Sequence, residues 1–337
     1  MRRLLAALAA LAAVALLGTA CGNGDGGSGD KLVVYSGRAE NLIKPLLEQF
    51  EKATGIDLEV RYGGSAELAA QILEEGGNRR ADVFLSQDAG ALGALAREGV
   101  LDQVPQAELD KVAARFRAKD GTWVGVSGRA RVFIYNPDLV PQAELPESVF
   151  DLTGPKWAGR LGIAPPNASF QSFVTAMRVT QGDARTKTWL EGIHRNAKSF
   201  ENNIQIRDAV DRGEIAGGLV NHYYLYEKIA EVGADKVKAR HHFFGHGDPG
   251  ALVNVSGAGI VQGTQRRAQA ERFVSFMLSE QAQRYYSEET KEYPLTAGVQ
   301  AQAGLPPLDS IDGPDIDLAD LASLKETLDM LAEVGLT

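Results

Sequence analysis

Short apolar runs alternate with stretches whose apolar residues recur at the period of a helix, and the first third of the chain shows this most plainly. Lys31–Tyr35 predicts a buried strand, with Ser36-Gly37-Arg38 as the loop at its C-terminal end. Leu42, Ile43, Leu46, Leu47 and Phe50 fall on one face of a helix that stops near Gly55, a glycine placed to take the left-handed turn after a helix. Ile56–Tyr62 alternates like a strand, Ser65 opens a helix through Glu75, and Ala81–Leu85 is a further short strand. Asp88 to Glu98 reads as a helix closed by Gly99. Strand and helix in turn predict an α/β fold, a mostly parallel sheet with helices on both faces.

A second α/β unit begins near Ser127. Arg131–Tyr135 is its strand, ended by Asn136-Pro137, because the residue before proline leaves the helical region and proline cannot donate to a ladder. Trp157–Ile163 leads into the loop Ala164-Pro165-Pro166-Asn167-Ala168-Ser169, which opens a helix through Thr180. Asn202-Asn203 opens a helix ending near Gly213. Ala251–Val261 is a strand and Thr264–Leu278 a helix. The last helix, Asp317–Val334, carries Leu318, Leu321, Leu324, Leu328 and Leu331 at packing spacing and is expected to dock on a lobe surface. No internal repeat is present.

The candidate chemistry gathers at Leu219-Val220-Asn221-His222-Tyr223-Tyr224-Leu225-Tyr226-Glu227-Lys228. Ile215–Val220 is a short buried strand, and Asn221 stands where a helix N-cap is wanted. Tyr223 and Tyr224 then fall in the first turn of a helix beyond the C-terminal end of a strand, the position that lines the crevice in open α/β sheets. The competing reading places one tyrosine in the core and the other on an amphipathic surface. Asn167, Asn203 and Asn221 mark three helix starts, each a potential anion site or an ordinary cap.

A chain of 337 residues with 44% hydrophobic composition builds a large core and suggests two domains. Its net charge of −9 becomes two units more negative without the first twenty residues, which hold Arg2, Arg3 and no acid. That balance argues against nucleic acid, whose phosphates need clustered Lys and Arg. Residues 1–20 have the parts of a secretory signal: two arginines, an Ala/Leu run and small residues. The single cysteine, Cys21, excludes an internal disulfide, and the Gly-rich stretch 21–30 reads as a flexible tether. Leu17-Gly18-Thr19-Ala20-Cys21 resembles a bacterial lipoprotein signal, in which the cysteine becomes the lipidated N-terminus and anchors the protein outside the cytoplasm; Gly18 stands where a bulky aliphatic is usual. His241, His242 and His246 form the one histidine cluster, but their spacing does not match HExxH, so a periplasmic zinc hydrolase is weakly supported. No Gly-x-Ser-x-Gly elbow or Walker A signature is present, and no Gly-x-Gly-x-x-Gly stands between a predicted strand and helix.

Asn221-His222-Tyr223-Tyr224, His246-Gly247-Asp248-Pro249-Gly250, Val34-Tyr35-Ser36-Gly37-Arg38, Ala81-Asp82-Val83-Phe84, Ser127-Gly128-Arg129-Ala130-Arg131-Val132 and Glu292-Tyr293-Pro294-Leu295 together resemble the ferric-iron-binding solute proteins of bacterial ABC importers. The resemblance covers roughly residues 31 to 300. It implies a two-lobed periplasmic-binding-protein fold, transferrin-lobe-like and of type II, with the ligand cleft between lobes and a two-strand hinge. Residues 31–126 plus 253–300 would form the N-terminal lobe, and 127–252 plus 301–337 the C-terminal lobe. It implies Tyr223 and Tyr224 as phenolate ligands to Fe3+, delivery of ferric iron or a small ferric chelate to an ABC permease, a monomer and no enzyme activity.

Where some members of that family have a ligand histidine this chain has Ala39, and where they have a ligand glutamate it has Gln87. A third tyrosine found in other subgroups would fall near Ser169 and is absent. Arg38 resembles the arginine that holds a carbonate-like anion beside the metal, with Arg129, Asn167, Ser169, Asn203 and Asn221 as further members of the anion's shell. Salt bridges between the lobes compete as the role of Arg129 and are the favoured role of Arg131. Gln87 and Glu40 are possible additional cleft residues, Glu40 being better explained as a solvated helix face. An oxyanion binder, for phosphonate or thiosulfate with the tyrosines merely lining the cleft, is the alternative within the same class.

Overall fold

The computed structural model describes residues 31–336, so the signal segment 1–20, the tether 21–30 and Cys21 lie outside the described residues. Apolar runs near the start form β1 (Leu32–Ser36), β2 (Leu58–Tyr62) and β3 (Val83–Ser86), parallel neighbours in the order β2-β1-β3. Between them run α1 (Glu40–Thr54) and α2 (Ser65–Glu74). The predicted face of α1 is the buried one, Ile43, Leu46, Leu47 and Phe50, and Gly55 ends the helix at φ 70°. α3 (Ala89–Arg97) follows β3 directly, capped by the Asp88 carboxylate, which accepts from the Ala91 N–H. β4 (Leu101–Asp102) and α4 (Gln106–Leu109) lead to the longest strand, β5 (Trp123–Tyr135), which is buried almost throughout.

The middle of the chain supplies β6 (Leu161–Ile163), α5 (Ala168–Gln181), α6 (Asp183–Asn196), β7 (Ala197–Ser199), α7 (Asn203–Asp211), β8 (Gly217–Asn221), α8 (Tyr223–Val232) and β9 (Arg240–His242). It then returns through β10 (Val253–Val261), α9 (Arg267–Met277), α10 (Glu280–Glu288) and β11 (Tyr293–Pro294), and ends on α11 (Leu324–Glu333).

β5 belongs to two sheets. Its first part pairs antiparallel with β10, down to Val253 against Ala130, and its last part, Arg131–Tyr135, pairs with β8. The strand order is β2-β1-β3-β10-β5-β8-β6-β7, so β10 and β5 stand where one lobe's sheet becomes the other's. The Arg131 N–H donates to the Leu252 carbonyl at 2.8 Å, which holds the two crossing segments side by side at the transition. Pairing thus changes at Ala130/Arg131, a few residues beyond the border expected at 126/127. Trp123 fills the core on one side of the crossing, and Trp157 and Trp189 fill it on the other.

The final helix predicted over Asp317–Val334 is two pieces. Leu318–Ala322 is a 3-10 turn and Leu324–Glu333 is α11, with Ser323 between them at φ −78°, ψ 46°. The leucines serve two different surfaces, which is why one continuous helix does not form. Leu318 and Leu321 are buried with the turn against α3, where the chain comes so close that a Cβ on Gly93 would meet the Ala319 carbonyl oxygen at 2.5 Å, and one on Gly90 the Leu321 carbonyl oxygen at 2.7 Å. α11 instead packs on α5: the Thr175 and Thr327 hydroxyls lie 2.7 Å apart, and Arg178 donates to the Ser323 carbonyl at 3.0 Å. The tail, expected to belong to the second lobe, grips both.

Candidate metal centre

β8 delivers the chain to the mouth of the cleft. Asn221 is its last residue, in register with Arg131, and not the expected N-cap. That place is taken by His222, which has helical dihedrals and makes no side-chain cap bond. His222 is wholly buried. Its Nδ1 accepts from the Ala130 N–H at 3.1 Å and its Nε2 lies 2.9 Å from the Lys291 carbonyl, which can only accept; the ring is therefore neutral, with its proton on Nε2. Burial pushes its pKa down to about 4. The imidazole packs on Tyr293, with ring centroids 4.7 Å apart, and so fixes the start of α8 against the crossing strands.

Tyr223 and Tyr224 follow at once. Neighbouring residues on a regular helix point about 100° apart, yet here the two rings lie 4.3 Å apart, centroid to centroid, and tilted by 36°. Tyr223 is 7% exposed and Tyr224 is partly exposed. Burial, and then any charge on Tyr224, pushes the Tyr223 phenol well above 10, while the Arg129 guanidinium pulls the other way. Both rings border a cavity of about 120 Å³. Across from them the first lobe contributes Gln87 and Asp88, β5 contributes Arg129, and β10 contributes Asn254.

Arg129 is buried and is one wall of the cavity. One of its terminal nitrogens donates to the Gln87 carbonyl, and its Nε is buried without a partner. Asn167 caps α5, accepting from the Ser169 N–H at 3.0 Å and from Asn203 Nδ2 at 3.1 Å; Asn203 Nδ2 also reaches Ser169 Oγ at 3.1 Å. Asn167 and Ser169 line the cavity, with Asn203 behind them. Asn221 turns its side-chain oxygen to Arg131 at 3.5 Å and borders the recess between Arg129 and Arg131.

Several expected roles fall elsewhere. Arg38 does not line the cavity: it is buried and its guanidinium is held two-pronged by Glu292, at 2.9 and 3.1 Å. Among the described residues, neither Arg129 nor Arg131 makes an interlobe salt bridge. Arg131 instead donates to the Leu219 carbonyl at 2.9 Å and to Ser169 Oγ at 3.2 Å, and lies over the rings of Phe170 and Phe173. Burial without a counter-charge pulls its pKa down to about 9. Glu40 is an exposed residue of α1, paired with Lys44 at 3.1 Å, and does not line the cavity.

The sequence reading missed Asp88, Asn254 and His222. Asp88 reads in sequence only as the start of a helix, and in the structure it caps that helix; its position beside Gln87, just after β3, was the available signal. Burial pushes its carboxyl up, opposed by Arg129. Among the described residues no group of three or more His, Cys, Asp or Glu is arranged to hold a metal. His242 Nε2 is engaged by the Pro146 carbonyl at 2.7 Å, and His241 stacks on Tyr226. The residues that line the cavity carry phenol, carboxylate and amide oxygens, a set suited to a hard cation.

An oxygen-lined cavity between two α/β lobes that share crossing strands is the architecture of a protein that binds a small solute between its lobes. The family model described as bacterial extracellular solute-binding protein matches residues 78–311, and the chain belongs to that family. It is 33% identical over 306 residues to the Fe(3+)-binding periplasmic protein of Serratia marcescens, covering 90% of each chain. Among solved structures it is similar to iron-bound HitA from Pseudomonas aeruginosa, with TM-score 0.84 and 35% identity over 91% of this chain and 99% of that one. It is similar also to Trichodesmium IdiA (FutA) in complex with iron and citrate ligands, with TM-score 0.80 and 29% identity over 91% of this chain and 100% of that one.

Proposed function

We propose that the protein binds one ferric ion outside the cytoplasm, between the Tyr223 and Tyr224 phenolates, and delivers it to an ABC permease. The observation that carries this is the pair of closely stacked phenols sharing one small cavity with Asp88 and with Arg129, whose Nε has no partner. Phenolate and carboxylate are hard oxygen donors that suit Fe3+. The names of the relatives point the same way: a Fe(3+)-binding periplasmic protein and iron-bound HitA.

Two phenolates and the Asp88 carboxylate match a trivalent cation charge for charge. Arg129 in the same cavity adds one positive charge, and an uncompensated charge in a closed cleft is costly. A small oxyanion, carbonate or bicarbonate, offsets it and fills coordination positions that the protein leaves open. Arg129, with Asn167 and Ser169 at the start of α5, is placed to hold that anion. The role falls to Arg129 because Arg38 is committed to Glu292.

Among the described residues no helix is long and apolar enough to cross a membrane. Attachment through a lipidated Cys21 is read from the sequence around it. The protein acts by binding, as a monomer, and not by catalysis. Adding ferric iron with bicarbonate to the apo-protein tests the central reading, since tyrosinate-to-iron charge transfer gives a visible absorption band. A colourless protein that still binds phosphonate or thiosulfate would establish the oxyanion reading in its place.

A further inference from the structure

The tyrosine cavity lies beside a second, larger space of about 640 Å³. Gln87, Asp88, Ala168 and Ser172 border both. Away from that shared end the wall is apolar and made of small side chains: Ala69 and Ala70 of α2, Ala94 of α3, and Leu321 of the tail, with Leu73 standing 37% exposed at the rim. Among the described residues lining it, the charged side chains are Asp88 at the shared end and Glu67; no cation faces it. Its walls come from the first lobe, from α5 of the second and from the tail, so a guest inside touches both lobes beside the metal.

On the reading that the cavity takes ferric iron, the geometry points to a subsite for the organic body of an iron chelator, a catechol-class ring whose two oxygens reach the metal while the ring lies in the apolar groove. Three observations select this occupant. The groove adjoins the metal cavity, with Gln87, Asp88, Ala168 and Ser172 in the walls of both, so a ligand anchored on the iron has the groove beside it. Its volume lies within the roughly 300–1,000 Å³ that small-molecule sites occupy, and small apolar walls suit a flat ring. The absence of a cation among its described wall residues disfavours phosphate- or carboxylate-rich chelators, whose charges would go unmatched there. A catecholate gives two hard anionic oxygens, filling metal positions that two tyrosines and Asp88 leave vacant.

The test uses the full chain and the 1:1 ferric complex of catechol (1,2-dihydroxybenzene), beside ferric iron with bicarbonate. Ring absorbance and iron are followed through a desalting column. Wild type should retain ring and iron in equal amounts, with a charge-transfer band distinct from that of the bicarbonate form. Ala70→Trp, at an exposed position of α2, and Ala94→Leu place bulk in the groove. Each should weaken retention of the chelate by about tenfold or more, while bicarbonate-supported iron binding changes by less than about twofold.

If the ring elutes free while the protein keeps the iron, the subsite is absent. The same conclusion follows if the groove-filling variants hold the chelate as well as wild type. If they lose bicarbonate-supported iron to the same degree, the groove serves lobe closure, and if only uptake through the permease in cells is lost, it is a partner surface; either result overturns the proposal. A wild-type protein that takes no iron in any form rejects the iron reading itself, an outcome distinct from all of these.

Discussion

Arg38 and Glu292, 254 positions apart in the sequence, form a two-pronged ion pair with almost no exposure to solvent. Ser127 Oγ at the foot of β5 donates to the same carboxylate at 2.7 Å, and Thr290 reaches it as well. The pair therefore joins the loop after β1, the segment entering β11 and the long strand that crosses between lobes. Burial alone would raise the Glu292 carboxyl, but Arg38 first, with Arg129 and Ser127, together outweigh it and hold the group below the ordinary carboxylate value. The pair ties the frame together, and neither residue lines the tyrosine cavity.

Glu292→Gln should leave the Arg38 charge buried and unmatched, at a cost of about 3–5 kcal/mol. Denaturant unfolding of the apo-protein measures this, and iron affinity of the folded fraction should stay near wild type. The pH dependence has a definite sign. A carboxyl whose folded pKa lies below its ordinary 4.5 contributes stability that is present above pH 4.5 and is lost as pH falls through the folded value. Wild type should lose stability over that acid range, and Glu292→Gln should lose less.

Tyr223→Phe and Tyr224→Phe each remove a phenolate and almost no volume. The fold should survive while the visible band is lost and iron affinity drops by more than the roughly 10–100-fold typical of residues that only orient ligands. Tyr226 lies outside the cavity, its ring on His241 and its hydroxyl toward Gly304. Tyr226→Phe should be nearly silent. Equal losses at all three positions would misplace the site.

Arg129→Gln should remove the dependence of iron affinity on bicarbonate. Titration with ferric iron in carbonate-depleted buffer, before and after bicarbonate is restored, reads this as a ratio. Wild type should show a rise on restoration and the variant almost none. Arg38→Met should keep the wild-type ratio at reduced stability, which separates the two arginines.

Iron binding should weaken as pH falls. Each phenol gives up a proton to the metal, and Tyr223 holds its proton harder than a free phenol because it is buried. Two protons released per iron predict a slope approaching about two log units of affinity per pH unit below the phenol range. Competition against citrate across a pH series measures it. A flat profile would mean that the phenols do not ionise on binding.

Much of the frame was legible in the sequence because it rests on local signals. The apolar face of α1, its stop at Gly55 and the short parallel strands are written in periodicity and glycine placement. Tyr223 and Tyr224 were legible as a pair at a strand-to-helix junction. Arg38 was misplaced because its partner comes from the far end of the chain, and no local pattern shows a contact of that span. Asp88 was passed over because it read only as the first residue of a helix. The division of the last helix was hidden for a related reason: evenly spaced leucines do not say that their first and last members face different lobes.

The tail that grips both α3 and α5 also bears on the order in which the protein is built. Domains form as units, generally N-terminal first as the chain is made. Here the first sheet must wait for β10 to come between β3 and β5, by which time the second sheet already exists. Leu318–Ala322 and α11 come later than everything they touch. Their docking is a final clasp, made on two bodies that have already taken shape. A chain truncated before Leu318 would therefore display both lobes with the notch at Gly90 and Gly93 still open.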